Sequence, residues 1–176
     1  LAHIHKTLIH YNEEKGNFTN FTILESTDTK ELTGSVIPPD ISICNECLRE
    51  LHTPKNPRHN YFFITCTDCG PRYTTILQLP YDRKNTTMQN FEMCKFCKDE
   101  YTNPANRRFH AQTVACPKCG PKAYLTTSKG EPVSHENPIH EAGRLLEAGY
   151  VLAIKGYGVF HVASATTRDA PILRLK

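Results

Sequence analysis

The hexapeptide CTDCGP, residues 66–71, returns fifty positions later as CPKCGP, residues 116–121. In each copy it contains the second of two Cys-x-x-Cys pairs, and eighteen residues separate the two pairs in both copies. Two such pairs joined by a spacer of roughly 15 to 20 residues are typical of a four-cysteine zinc site. The duplication therefore predicts two zinc modules, and a fold whose core depends on metal.

All eight cysteines of the 176-residue chain belong to these pairs. Soft, tetrahedral thiolate sites suit Zn²⁺ or iron, and zinc is the commoner structural occupant, so we expect two zinc ions. A disulfide framework would need export, and a redox pair would normally occur once, which makes both alternatives weaker. The predicted ligands are Cys44, Cys47, Cys66, Cys69, Cys94, Cys97, Cys116 and Cys119.

The spacing leaves open which Cys-x-x-Cys pairs share an ion. Sequential pairing is the simplest arrangement, but pairing the first with the fourth and the second with the third also closes two sites. In both arrangements every ligand is a protein thiolate, so no coordination position is left to activate water. We therefore expect the metal to be structural.

The repeat extends beyond the cysteines. A shift of fifty positions overlays Glu50 on Glu100 and Arg58 on Arg108. It also overlays two glycines that follow the last cysteine of each copy, at positions 70 and 120, and we expect a positive φ at both. The histidines at 52, 59 and 110 are not repeated, so surface or packing roles are expected for them rather than metal ligation.

The charge of the chain gives little support to a nucleic-acid binder. The formal net charge is +3 at pH 7, and eight thiolates around two Zn²⁺ ions would lower it to about −1. Two dibasic pairs, Arg83-Lys84 and Arg107-Arg108, lie among aromatic residues and could form an anion-binding face. Solvated surface is the commoner explanation for such pairs. Nucleic acid is therefore an allowed partner but not a favoured one.

A different unit follows the second module. Asn137 predicts a helix cap, Pro138 suits the first helical position, and Gly149 predicts the helix end. The apolar run YVLAI, residues 150–154, predicts a buried strand. Asp169 predicts the start of another helix. These features predict the beginning of an α/β domain.

No signal peptide opens the sequence, and no apolar run approaches the roughly 20 residues that span a bilayer. We expect a cytoplasmic protein without a membrane partner.

Residues 38–121 closely resemble the duplicated zinc region of the HypF-type carbamoyltransferases of [NiFe]-hydrogenase maturation. The resemblance rests on both cysteine quartets and on the stretches LPYDRKNTTM and NPANRRFHAQ. It implies an α+β multi-domain fragment. A central duplicated four-cysteine zinc-finger region would be flanked by an acylphosphatase-like strand pair and by the start of a YrdC-like α/β domain.

The resemblance and the composition together predict a division of the chain into seven parts. These are 1–32, the C-terminal end of the acylphosphatase-like domain; 33–43, a linker; 44–74, the first zinc finger; 75–93, a connector; 94–124, the second zinc finger; 125–136, a linker; and 137–176, the N-terminal part of the YrdC-like domain.

For the full-length parent, the resemblance implies conversion of carbamoyl phosphate and ATP to carbamoyl adenylate. It also implies transfer of the carbamoyl group to the C-terminal cysteine of a HypE-like acceptor, for cyanide-ligand synthesis. The present segment would be mainly the zinc scaffold and inactive alone. The alternative from another class is a zinc-ribbon module that binds RNA or unfolded protein.

The stretch KGYGVFHVASA, residues 155–165, resembles the text of the family's YrdC-like part, with departures at three positions. The matching positions Lys155, Gly158 and His161 are the expected contacts to the nucleotide or the carbamoyl group. Catalytic residues stay unassigned, because the phosphate-binding loop of the acylphosphatase-like part is not in this sequence.

Overall fold

The computed structural model of the chain describes residues 6–11 and 37–175. The acylphosphatase-like strand pair expected over residues 1–32 therefore lies largely outside the described residues, and residues 6–11 form no strand. The described part contains four α-helices, four short strands in two hairpins and three 3₁₀ turns. None of its helices has the length and apolar character needed to cross a membrane.

Each zinc module begins with a short helix placed directly after its first cysteine. Helix α1 spans Asn45–His52 and helix α2 spans Lys95–Thr102. At the start of α1 the Sγ atom of Cys44 accepts a hydrogen bond from the backbone N–H of Cys47 at 3.4 Å. This satisfies one of the N–H groups that a helix start leaves free, so the first Cys-x-x-Cys pair also caps its helix.

The exit from each helix is duplicated in the backbone as well. Asn60 and His110 occupy equivalent positions and have φ angles of 55° and 52°, in the left-handed region. Their backbone N–H groups donate to the carbonyl oxygens of Leu51 at 2.9 Å and Tyr101 at 3.0 Å. Each module therefore folds back on its helix in the same way.

The connector between the modules forms the three 3₁₀ turns. They span Tyr73–Thr75, Arg83–Asn85 and Thr87–Asn90. Met88, which is 2% exposed, packs with Tyr61 and Phe63 of the first module and with Ala115 of the second. One apolar cluster is therefore shared by both modules, while Ile64 and Val114 fill equivalent places in two smaller cores beside the cysteines.

The end of the stretch expected as a linker over residues 33–43 is bonded to the first module. Ile41 and Gly70 exchange backbone hydrogen bonds of 3.1 and 2.8 Å. Asp40 accepts hydrogen bonds through Oδ1 from the backbone N–H groups of Arg72 at 2.6 Å and Thr74 at 3.3 Å. Burial raises the pKa of Asp40, but these donors outweigh it and leave the pKa below its usual value.

The second expected linker, residues 125–136, contains a small hairpin. Strand β1, Leu125–Thr126, pairs antiparallel with β2, Pro132–Val133, with Leu125 opposite Val133. Gly130 occupies the turn with a φ of 84°.

Helix α3 spans Pro138–Glu147, as the sequence predicts. The Oδ1 atom of Asn137 accepts a hydrogen bond from the backbone N–H of His140 at 3.0 Å, which confirms the predicted cap. Gly149 follows the helix with a φ of 90°, which confirms the predicted end. Helix α4, Asp169–Leu173, begins at the predicted aspartate.

The prediction of a buried strand over residues 150–154 is wrong for the described chain. Strand β3, Leu152–Lys155, pairs antiparallel with β4, Phe160–Ala163, and no other described strand joins them. Ile154 is 43% exposed and Val162 is 64% exposed. A continuous apolar run is typical of a strand covered on both faces, but here the covering layers are not among the described residues. The hairpin touches the first module where Tyr157 meets Phe63, edge to face, at a centroid distance of 5.2 Å.

Candidate metal centres

The structure gathers the eight predicted cysteines into two clusters, one in each module. Within each cluster the four Sγ atoms all lie within 4.8 Å of one another. The first cluster consists of Cys44, Cys47, Cys66 and Cys69, and the second of Cys94, Cys97, Cys116 and Cys119. The sequence left the pairing open, and the structure shows sequential pairing.

The sulfur separations fit a zinc ion at the centre of each cluster. In the first cluster Cys66 Sγ lies 3.7 Å from the Sγ atoms of both Cys44 and Cys69. The S···S separations measured in the second cluster run from 3.6 to 3.8 Å. A tetrahedron with Zn–S bonds of about 2.3 Å has edges of about 3.8 Å. Disulfides would require about 2.05 Å instead, and all eight cysteines are free thiols.

In such a site a bound metal ion has a structural role and takes no part in a reaction. All four ligand positions of each cluster are cysteine, so an ion bound there has no open position for water or substrate. Among the described residues no histidine or carboxylate joins either group of candidate ligands. What the arrangement can do is fix one helix start and one glycine-containing turn around each ion, which stabilises the fold.

The two glycines after the last cysteines differ, contrary to the prediction of a positive φ at both. Gly70 has a φ of 103°, as predicted. Gly120 lies outside the left-handed region. An added Cβ at Gly120 would lie 2.3 Å from Tyr61 Oη and 2.4 Å from the Cβ of Ala115. Close packing against Tyr61 of the first module and Ala115 of its own module, rather than backbone conformation, requires glycine in the second copy.

The modules are joined by arginines that each reach across to the other module's metal site. Arg58, of the first module, is 1% exposed and lies against α2 of the second. Its Nη2 atom donates to Cys97 Sγ at 3.5 Å and to Glu100 Oε2 at 2.5 Å, and Nη1 donates to Glu100 Oε1 at 3.2 Å. Its Nε donates to the carbonyl oxygen of Ala115 at 2.7 Å.

Arg108 makes the same contacts in the opposite direction. Its Nη2 atom donates to Glu50 Oε2 at 2.5 Å and lies 3.9 Å from Cys47 Sγ, and its Nε donates to the carbonyl oxygen of Thr65 at 2.8 Å. All three partners stand fifty positions before those of Arg58. The two modules are therefore related by an approximate two-fold axis, as in a symmetric dimer interface within one chain.

These ion pairs shift the ionisation of their members toward the charged forms. Burial alone would lower the pKa of Arg58, but the hydrogen bonds and charge of Glu100 outweigh it and raise the pKa. Burial would raise the pKa of Glu50, but the hydrogen bonds from Arg108 and Arg107 outweigh it and lower the pKa. No buried side-chain nitrogen or oxygen of the described residues lacks a hydrogen-bond partner.

The interpretation of the dibasic pairs as solvated surface is wrong for three of their four residues. Arg108 is buried, and Arg107 donates both terminal nitrogens to Cys47 Sγ at 3.3 Å. Arg83 donates to the carbonyl oxygens of Gln112 at 2.8 Å, Val114 at 2.9 Å and Phe91 at 2.7 Å. Because these guanidinium groups bind the protein itself, they do not form the alternative anion-binding face either.

Sequence reasoning placed Glu50, Glu100, Arg58 and Arg108 in the repeat but did not assign them to the metal sites. Their recurrence at equal spacing was the available signal. Charged residues are rarely buried unless paired, and the pairs form only when the two copies meet. The contact is therefore invisible in either copy alone.

The three expected nucleotide or carbamoyl contacts lie together on the β3–β4 hairpin. Lys155 ends β3, and its Nζ atom lies 5.0 Å from the centroid of the Phe160 ring. His161 pairs with Ile154 across the strands, and its Nε2 atom would lie 3.4 Å from a Cβ added at Gly156. Gly158 faces open space, with nothing within 4 Å of an added Cβ. The three residues lie on one exposed hairpin, apart from both cysteine clusters.

The fold and the paired cysteine clusters define a tandem four-cysteine zinc-finger protein. The model of the HypF finger family matches the chain twice, at residues 43–76 and 93–126. These ranges contain all eight cysteines. Both zinc modules therefore belong to the HypF finger family.

Curated relatives agree with this assignment. The chain is 52% identical to the carbamoyltransferase HypF of Synechocystis over 161 residues, which are 91% of this chain and 21% of that protein. It is 50% identical to the carbamoyltransferase HypF2 of Cupriavidus necator over 156 residues, covering 89% of this chain and 19% of that protein. The chain thus spans about a fifth of the length of the curated relatives that it matches.

Solved structures show the same arrangement. The crystal structure of T. kodakarensis HypF aligns with a TM-score of 0.76 at 50% identity, covering 80% of this chain and 18% of that one. A crystal structure of full-length HypF in the phosphate- and nucleotide-bound form aligns with a TM-score of 0.71 at 43% identity, covering 78% of this chain and 18% of that one.

Proposed function

We propose that this chain is the zinc-binding scaffold of a HypF-type carbamoyltransferase and that its eight clustered cysteines hold two zinc ions. The observation that carries the scaffold role is the closure of both clusters, in which every ligand position is a cysteine. Such sites contribute to folding rather than to reaction steps. The scaffold holds the two modules at a fixed angle, because Arg58 and Arg108 lock each module to the other.

The activity of the full-length parent is the second part of the proposal. The parent uses ATP to convert carbamoyl phosphate to carbamoyl adenylate. It then transfers the carbamoyl group to the C-terminal cysteine of a HypE-like partner, as a precursor of cyanide ligands. Identity of about one half to proteins described as carbamoyltransferases supports this assignment. Residues 1–32 and 137–176 are assigned to acylphosphatase-like and YrdC-like domains on the same basis.

Within the parent, Lys155, Gly158 and His161 are proposed to contact the nucleotide or the carbamoyl group. An ammonium beside an uncrowded glycine suits the approach of phosphate oxygens, and the hairpin presents Lys155 and Gly158 together. One relative has been solved with phosphate and nucleotide bound. A cytoplasmic location fits a protein with eight free thiols.

Metal analysis tests the scaffold role. The purified chain is expected to contain two zinc ions, and fewer than one ion per chain, or titratable disulfides, would refute it.

Activity is tested by carbamoyl-phosphate-dependent ATP turnover, which should occur in the full-length parent and not in the 176-residue chain. In the parent, Lys155→Ala and His161→Gln should reduce this turnover, while Lys129→Ala in the exposed β1–β2 turn should not. Equal activity of all three variants would show that the hairpin is not part of the nucleotide or carbamoyl site.

A zinc-ribbon module that binds RNA is the competing function. It finds no support in the dibasic pairs, because Arg83, Arg107 and Arg108 make hydrogen bonds within the protein. Measurable RNA affinity that falls steeply with salt would nevertheless establish it.

A further inference from the structure

The two metal sites receive different numbers of arginine N–H groups at sulfur. In the first site Cys44 and Cys66 accept backbone N–H groups at 3.4 and 3.3 Å, from Cys47 and Asp68 respectively. Cys47 accepts both terminal nitrogens of Arg107 at 3.3 Å, and Arg108 approaches at 3.9 Å. In the second site Arg58 donates to Cys97 at 3.5 Å, and the backbone N–H groups of Lys118 and Cys119 are directed at Cys116, so it is the arginine contacts that differ.

The source of the inequality is one position of the repeat. Arg107 has no counterpart in the first copy, where residue 57 is proline and cannot reach the other site's thiolates with a charge. Arg58 and Arg108 are matched, so they contribute similarly to both sites. Arg107 alone adds a cation to the first site, bonded to both Cys47 Sγ and Glu50 Oε1, the latter at 3.2 Å.

Electrostatics act in the same direction. A zinc ion with four thiolates carries a formal charge of about −2. Two arginines reach the sulfurs of the first site and one described arginine reaches those of the second, although Glu100 beside the second site binds both Arg58 and Arg108. We therefore expect the negative charge of the second site to be less compensated and its zinc ion to be held less firmly. Solvent access differs too, since Cys94 and Cys119 are both partly exposed, while Cys44 is the one partly exposed ligand of the first site.

From these contacts we propose that the two zinc ions are held unequally, that the ion of the second site leaves first, and that Arg107 is the residue that retains the ion of the first site. This inference rests on the proposed zinc occupancy. Arg107 acts as a positioning residue, because it touches a ligand sulfur rather than the metal. Hydrogen bonds from such outer groups typically change metal affinity about 10- to 100-fold.

Chelator-driven zinc release from the 176-residue chain tests the proposal. The chain, first shown to contain two zinc ions, is mixed with excess 4-(2-pyridylazo)resorcinol, and freed thiols are trapped with N-ethylmaleimide and located by peptide mass mapping. Two phases of one zinc each are expected, with the cysteines of residues 94–119 labelled in the fast phase. A starting content below one zinc ion per chain would count against zinc occupancy itself, not against the inequality.

Arg107→Gln should accelerate the slow phase about 10- to 100-fold, toward the rate of the fast phase. The control is Arg49→Gln, because Arg49 is exposed on α1 and bonds Glu46 without touching a cysteine. If Arg107→Gln does not load two zinc ions, Arg107→Lys keeps the charge but loses the paired N–H contacts, and should show a smaller acceleration. A single phase, first labelling within residues 44–69, or an unchanged slow phase in both Arg107 variants would overturn the proposal.

Discussion

The zinc modules and the C-terminal unit contain similar proportions of apolar residues, but the zinc modules bury many of theirs and the C-terminal unit leaves most of them exposed. Over residues 37–124 the apolar side chains are divided among three buried clusters, and charged groups close the interface between the modules. Over residues 125–175 only Gly149 and Pro171 are buried. The side chains of Val159 and Phe160 are exposed on the β3–β4 hairpin. The amount of regular secondary structure therefore does not indicate which part of this chain forms its own buried core.

The difference shows what stabilises a small core. The C-terminal unit has the longer strands and the longest helix, but little of its apolar surface is removed from water. The zinc modules have only two eight-residue helices and their connector three 3₁₀ turns, but metal ligands and reciprocal ion pairs fix their loops. Small domains commonly need such additional links because their cores bury too little surface.

The largest effect should come from removing metal. Because structural zinc contributes roughly 10–16 kcal/mol in small domains, chelation should abolish amide hydrogen-exchange protection in α1, α2 and the core around Ile64. Helix α3, whose caps are local, should change little. Exchange measured by mass spectrometry with and without EDTA checks this, and added zinc should restore protection. Retained protection around Ile64 without metal would show that the modules do not depend on it.

Breaking the exchanged ion pairs should have the next largest effect. Arg58→Met leaves Glu100 in a partly desolvated site without its main partner, and loss of one member of a buried pair costs about 3–5 kcal/mol. Arg108→Met should cost a similar amount, because its contacts are the symmetric equivalents. Urea unfolding in excess zinc measures both losses. Arg49→Met is the matched control, with an expected cost of about 0–1 kcal/mol for an exposed pair. A loss of unfolding free energy below that of the control would show that these ion pairs do not stabilise the interface.

The two repeat glycines should respond to alanine for different reasons. Gly120→Ala should cost about 1–3 kcal/mol through overpacking against Tyr61 and Ala115. Adding Tyr61→Phe should recover part of that cost, because it removes the hydroxyl oxygen that lies nearest to the new Cβ.

Gly70→Ala should instead carry a backbone penalty of about 1–2 kcal/mol, and Thr65→Ala should relieve only part of the added crowding, because it removes Cγ2 but leaves Cβ 2.8 Å from the new atom. Gly130→Ala isolates that penalty, since φ is 84° and nothing lies within 4 Å of the added Cβ. Full rescue of Gly70→Ala by Thr65→Ala would mean that crowding, not conformation, selects glycine there.

The smallest effect is expected in the C-terminal unit. Asn137→Ala removes the side-chain cap of α3 and should lower helix stability by about 1 kcal/mol. Asn137→Ser should preserve most of it, because a serine hydroxyl caps nearly as well. Hydrogen exchange of α3 reports the change, and protection over residues 37–124 should stay constant. A loss that spread to the zinc modules would show that the two regions unfold together.

The sequence predicted local features well and interfaces poorly. The presence of two four-cysteine sites, the helix from Pro138 and the end at Gly149 were predicted correctly, because each depends on residues close along the chain. Arg108 was assigned to the surface, because arginine is usually exposed and its acidic partners stand 58 and 8 positions away. The positive φ expected at Gly120 was wrong, because the space beside its Cα is filled by Ala115 and by Tyr61 of the other module.

The sequence by itself determined that there are two closed four-thiolate modules, since the Cys-x-x-Cys pairs and their equal spacers specify the ligands without reference to the rest of the fold. It also determined the caps and ends of α3, which depend on neighbouring backbone groups. The tertiary structure alone decided which cysteine pairs combine, which arginine serves which site, and that the two sites differ. These are contacts between distant segments, and their energies exist only once the two copies are packed face to face.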